Sequence, residues 1–148
     1  MSELQYASIR ILGFDVGRAR IGVARSTALG TAERVETIRA KNRPMAEILA
    51  RIEQLSQEHQ TTEFVVGLPR NMDGSLGPQA KVSEHFAKRL HDAFPSIPIH
   101  LEDERLTTEA AVERLAAQKN RRQQTREMID SMAAAIIVEA YLERRKSM

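Results

Sequence analysis

No cysteine occurs among the 148 residues, which removes disulfides, thiolate zinc sites and a cysteine nucleophile together. The histidines, His59, His85, His91 and His100, are scattered without metal-ligand spacing. No apolar run approaches the roughly 20 residues that span a bilayer. The start, MSELQYASIR, lacks the basic residues and apolar middle of a signal peptide. A cytoplasmic protein with no membrane partner is therefore expected. Net charge is only +2, so no global basic field argues for nucleic acid. Aromatic side chains make up 4% of the chain, too few for base stacking to be a main tool. Repeats, low-complexity segments and linkers are also lacking. With 42% hydrophobic and 28% charged residues, the chain can bury one substantial core, and residues 1–148 are read as a single domain.

What is present is a clear change of period along the chain. Ile9, Ile11, Gly13 and Asp15 alternate onto one face of a first strand. Ile21 to Ser26 reads as a second strand after a tight turn at Gly17, and residues 33–39 as a third. After Pro44, the residues Met45, Ile48, Leu49, Ile52 and Leu55 fall at helical spacing. FVVGLP (64–69) is a short continuous apolar run, as expected of a central strand covered on both faces. Pro78 opens a helix with the stripe Val82, Phe86, Leu90 and Phe94, and IPIHL (97–101) is a fifth strand. Thr107 can cap a short helix carrying Val112 and Leu115, and Thr125 a last one running to about Arg144. This order predicts an α/β fold. A three-stranded antiparallel meander joined to parallel βα units gives a mixed five-stranded sheet with helices on both faces.

Such sheets place their sites beyond the carboxyl ends of parallel strands. Three groups of acids fall near those ends. Asp15 closes the first apolar run, in front of Gly17, Arg18 and Arg20. Asp103 and Glu104 emerge from the fifth strand in EDERLTT (102–108). Asp130 shares a helix face with Ala133, Ala134 and Ile137, so an apolar stripe contains a carboxylate. Burying that charge unpaired would be costly, so it calls for a cation, either an arginine or a metal. The small Ala133, Ala134 and Ala135 let this helix lie close to the sheet. Carboxylates converging from separate elements suit hard Mg²⁺ or Mn²⁺, which prefer oxygen ligands and accept phosphate oxygens as the remainder. A pair of such ions can support phosphodiester hydrolysis.

Four ordered segments, LGFDVGRARIGVA, VVGLPRNMDGSLGPQA, HLEDERLTTEAAVERL and IDSMAAAIIVEAYL, together resemble the YqgF family over roughly residues 9 to 143. Members of that family have an RNase H-like fold. They are described both as Holliday junction resolvase-like proteins and as pre-16S rRNA nucleases. The resemblance implies a divalent-metal-dependent endonuclease acting in 5′-end maturation of 16S rRNA during ribosome biogenesis, on pre-rRNA or a pre-ribosomal particle. It implies Asp15, Glu104 and Asp130 as catalytic and metal-binding acids, with Asp103 the alternative to Glu104. Alternation along IHLEDE puts Asp103 and Glu104 on opposite sides of the strand and leaves open which side faces the metals. Branched DNA remains an alternative substrate, and a resolvase cutting two strands symmetrically would be a homodimer rather than a monomer. A non-catalytic RNA-binding assembly factor is the alternative of a different class.

Basic and loop residues supply the nucleic-acid contacts. The GLPRNMDGSLGPQA loop is long for a connector, and its Arg70 and Asn71 can reach phosphate or sugar. Arg18 and Arg20 flank the first acid, Arg105 follows the DE pair, and Arg121 and Arg122 lie in a stretch rich in cations. All seven are candidate nucleic-acid-binding residues.

Overall fold

In the computed structural model, which describes residues 2–104, 113, 114, 117 and 126–147, alternation sorts the first strand cleanly between two cores. From β1 (Ile11–Val16), Leu12, Phe14 and Val16 enter one core and Ile11 the other, with Gly13 and Asp15 on the face of Ile11. The backbone turns at Gly17, whose N–H donates to the Arg20 carbonyl at 2.8 Å, and returns as β2 (Arg20–Ser26), antiparallel to β1 with Asp15 opposite Gly22. β3 (Ala32–Arg39) completes the meander, with a bulge beside Val23 and Ala24. On the other side of β1 lie β4 (Glu63–Leu68) and then β5 (Ile99–Asp103), both parallel to it. The sheet order is β3-β2-β1-β4-β5, the mixed five-stranded arrangement expected from the sequence.

The two parallel crossovers carry α2 (Met45–Glu58) and α3 (Pro78–Ala93), which cover one face of the sheet. Ile48, Ile52 and Leu55 of α2 and Phe86 and Leu90 of α3 pack there against Leu12, Phe14, Val23, Phe64 and Val66. All four phenylalanines are in contact on this side, with ring centroids 5.4 to 5.8 Å apart in tilted or edge arrangements. The other face belongs to α4 (Arg126–Lys146), which lies mainly over β1, β2 and β3 and buries Met132 to Ala135, Ile137, Val138, Tyr141 and Leu142. None of the described helices is long and apolar enough to cross a membrane.

Two details differ from the sequence expectation. A short helix, α1 (Glu3–Ser8), precedes β1, held by a capping box in which the Gln5 amide donates to Ser2 Oγ and the Ser2 N–H donates to Gln5 Oε1. Six residues are too few for a helical period to show, although the Ser-x-x-Gln signature is readable. β5 begins at Ile99 rather than Ile97: Pro98 has no N–H to give to a ladder, while its carbonyl accepts from Phe64 at 2.8 Å. Arg105, Arg121, Arg122, the Thr107 helix and the Thr125 cap lie outside the described residues.

Candidate acidic site at the strand ends

Asp15, one residue from the end of β1, projects onto the α4 face, and Glu104 follows the last residue of β5. The Glu104 N–H donates to the Leu68 carbonyl at 3.3 Å, which extends the β4–β5 ladder by one step and keeps Glu104 on the face of Glu102. Its side chain runs inward over β4 at Gly67. A Cβ on Gly67 would stand 2.9 Å from the Glu104 carboxyl and 2.5 Å from Ile137, so glycine is what leaves the carboxylate its path. There it meets Asp15, and the two carboxyl groups are hydrogen-bonded to each other.

Asp130 reaches the site from the second turn of α4. A Cβ at Gly22 would fall 2.0 Å from the Asp130 carbonyl oxygen, so the helix backbone rests directly on β2 where only glycine leaves room. The Asp130 carboxylate accepts from Arg20 Nε at 2.7 Å, with the two side chains 20% and 32% exposed, and is near enough for its charge to act on Asp15. The cation that an acid on this helix face requires is therefore Arg20. Asp103 points to the opposite side of β5, 3.9 Å from Arg70 Nε. Among the described residues no three acidic or histidine side chains form a ready metal-holding group.

Two neighbouring half-buried carboxylates cannot both be charged cheaply. Burial above all, then the negative charge of Asp15, the hydrogen bond to it and the charge of Asp103, push Glu104 up to about 10. Burial raises Asp15 as well, the hydrogen bond from Glu104 opposes that rise, and the charge of Asp130 adds to it. At neutral pH Glu104 thus keeps its proton and donates it to Asp15 in a hydrogen bond. Among the described residues no cation is paired with either group.

The rim of the site is basic and well tied down. Arg18 is exposed in the β1–β2 turn. The loop after β4 folds on itself: Arg70 Nη1 donates to Gly74 O at 3.1 Å, the Asn71 N–H to Ser75 O at 2.9 Å, and the Ser75 N–H to Asp73 Oδ1 at 2.9 Å. Just beyond the loop, Gln79 Nε2 donates to the Val16 carbonyl at 2.7 Å, fixing the start of α3 to the residue beside Asp15. No local pattern in the sequence marks Gln79. Gly22 and Gly67 do carry a signal, since glycine inside a strand implies close approach.

The family model described as "RuvX: Holliday junction resolvase" matches residues 9–144. Relatives named "Putative pre-16S rRNA nuclease" include one from Moorella thermoacetica, 47% identical over 137 residues and spanning 92% of this chain and 96% of its own. A Bacillus subtilis relative of the same name is 40% identical over 136 residues, spanning 91% of this chain and 98% of its own. Among solved structures, Thermus thermophilus RuvC in complex with a Holliday junction substrate superposes with a TM-score of 0.64 at 14% identity, covering 95% of this chain and 97% of that one. At that identity the likeness shows the fold, which is RNase H-like, and nothing finer.

Proposed function

This chain belongs to the RuvX family, and from that premise we propose that it is a cytoplasmic, divalent-metal-dependent endonuclease that hydrolyses phosphodiesters in the 5′-end processing of pre-16S rRNA. The observation that carries the reading is the Asp15–Glu104 pair, two carboxyl groups brought into contact at the carboxyl ends of parallel strands with no cation among the described residues to neutralise them. A proton is the weakest available substitute for a hard cation, and the donor set, all carboxylate oxygen, fits Mg²⁺ or Mn²⁺ and not a softer metal. Asp15 and Glu104 would hold the ion, and Asp130 would join them on leaving Arg20. Glu104 takes this role in preference to Asp103, which faces Arg70 across the other side of β5. When bound, the ion supplies a more acidic water and stabilisation for the leaving oxygen.

The remaining roles belong to the chain's own side chains. Glu104 gives up its proton, and with Asp15 presents two anionic carboxylates. Arg20, on leaving Asp130, can turn its guanidinium to a phosphate oxygen, a pairing that suits its planar fork. Arg18 and Arg70 stand exposed on either side of the acids, and Asn71 at the foot of the loop offers donors to sugar or phosphate. Two acids in contact with no cation partner among the described residues also speak against a purely non-catalytic assembly factor, which has no use for such a pair.

Cleavage of an end-labelled 16S rRNA precursor, beside a four-way DNA junction, in Mg²⁺ or Mn²⁺ and in EDTA, tests the proposal. Metal-dependent cutting of the RNA is expected. Cutting of the junction alone would assign the family's resolvase description to this chain, and no cutting of either by metal-loaded protein would contradict a nuclease.

A further inference from the structure

Beside the acidic site, around the outer edge of the sheet, lies an open cavity of about 560 Å³ lined by Ala19, Arg20, Arg39, Lys41, Arg126 and Glu127. It is built by three elements that meet there. Arg20 and Arg39 are direct partners across the β2–β3 ladder. Lys41 follows β3, where the amides of Ala40 and Lys41 both donate to the Ala19 carbonyl, at 2.8 and 3.1 Å. Arg126 and Glu127 begin α4.

The charges of this cavity are arranged against stability. Like charges directly opposite each other on an antiparallel pair repel, and here the opposed side chains are both arginines. Each is only partly relieved, Arg20 by Asp130 and Arg39 by Glu127 at 3.1 Å. Lys41 and Arg126 are exposed and are in no ion pair among the described residues. Four cations therefore line the cavity with one acid, and the cavity shares Arg20 with the site that holds Asp130. An anion in the cavity would relieve the Arg20–Arg39 repulsion and find, within the same walls, two further cations that have no ion-pair partner among the described residues.

We propose that this cavity is a phosphate subsite, which holds a backbone phosphate of the nucleic-acid strand next to the one lying over the acids. The inference rests on the nuclease reading above. It adds to the binding surface Arg39 and Lys41, which no sequence motif marks, and Arg126, which belongs to the same cation-rich stretch of sequence as Arg121 and Arg122. The subsite lies on the β2–β3 side of the acids and the Arg70 loop on the β4–β5 side, so a strand crossing the site is gripped on both sides of the bond to be cut.

The test is equilibrium binding of a fluorescein-labelled RNA stem-loop with a single-stranded 5′ extension, in EDTA, over a range of salt concentrations. It compares wild type, the double variant Arg39→Ala/Lys41→Ala, and a control on the far face of the molecule, Lys88→Ala/Arg89→Ala. The first double variant should bind severalfold more weakly, with a log–log salt slope shallower by about 0.7 to 0.9 for each phosphate that the protein no longer neutralises. The control should keep the wild-type slope. Arg39 is 77% exposed and its pair with Glu127 is superficial, so the fold should survive, and Lys41→Glu alone provides a second variant with reversed charge. An unchanged slope in both, or an equal loss in the control, overturns the subsite while wild-type cleavage leaves the nuclease reading standing. Wild type that neither binds nor cuts RNA overturns both. Inorganic phosphate titrated alone is the second arm: saturable binding that disappears in the double variant, with no change in the RNA slope, would assign the cavity to a free anion and overturn the proposal.

Discussion

The two ends of α4 solve the same electrostatic problem in opposite ways. At its C-terminal end the sheet also presents buried acids, Glu63 and Glu102, with side chains 13% and 9% exposed. Arg145 donates to both Glu63 oxygens at 2.7 Å, His100 Nε2 stands 2.9 Å from the same carboxylate, and Arg144 reaches Glu102 at 2.6 and 2.9 Å. Tyr141 stacks on His100 at 5.0 Å and lies beneath both guanidinium groups. The hydrogen bonds to these carboxylates raise Arg144 and Arg145 further above their already high values, so both stay charged at any ordinary pH. At the N-terminal end, Asp15 and Glu104 meet no such cation among the described residues, and Glu104 keeps its proton instead. A helix that needed only to be held down would be matched at both ends. The end at which two acids meet no cation among the described residues lies at the carboxyl ends of the parallel strands, and the contrast supports the proposal that chemistry belongs to that end and stability to the other.

Exchanging the chemistry of single residues should separate the two ends. Asp15→Asn keeps the shape of the carboxyl group and removes its charge, so divalent-dependent cleavage should fall by at least about a hundredfold. Its thermal melt in EDTA should equal or slightly exceed that of wild type. A variant that cuts at the wild-type rate, or melts well below wild type in EDTA, would make Asp15 an ordinary turn acid. Gly22→Ala should be the most disruptive structural change, costing about 3 kcal/mol, the upper range for overpacking, because the obstacle is the Asp130 backbone and not a flexible side chain. It should also weaken cleavage by displacing Asp130, which chemical denaturation and rate measurements on the folded fraction would show. Arg144→Ala acts at the matched end, where Glu102 would lose its partner. Arg144 is half exposed and water can partly replace it, so a loss of about 1 to 2 kcal/mol is expected, with the cleavage rate of folded protein unchanged.

Stability of the metal-free protein should also depend on pH through the Asp15–Glu104 pair. Glu104 is raised from an ordinary 4.5 to about 10 in the folded state, so the folded protein binds the extra proton. Its contribution is fully present below about pH 4.5 and is lost as pH rises through about 10, with Asp15 acting in the same direction. Melting temperature in EDTA should decline across that window. Glu104→Gln should flatten the decline, and an equally steep decline in that variant would place the titrating group elsewhere.

Much of this fold is legible in local patterns. Alternation marks β1, the switch to helical spacing after Pro44 marks α2, and the apolar FVVGL marks β4 as a central strand. The carboxylate on the apolar face of α4 signals that a cation must be near. What local pattern does not contain is pairing across distance. Arg20 and Asp130 are 110 residues apart in sequence, so the residue that answers Asp130 is fixed only by the packing of α4 on Gly22. Alternation puts Asp103 and Glu104 on opposite sides, but which of them turns to Asp15 depends on the β4–β5 register, Gly67 opposite Glu102, which is a tertiary fact. The basic cavity is hidden from the sequence for the same reason, since Arg20, Arg39, Lys41 and Arg126 become neighbours only when β2, β3 and α4 meet.

The central claim is that the proton between Asp15 and Glu104 stands in the place of a cation. Calorimetric titration of wild type with Mn²⁺ at neutral pH, in two buffers of different ionisation enthalpy, measures proton release on metal binding directly. Binding should release about one proton per protein, and Glu104→Gln, which has no proton to lose, should release none and bind more weakly. Metal binding with no proton release in wild type, or release undiminished in Glu104→Gln, would contradict the account.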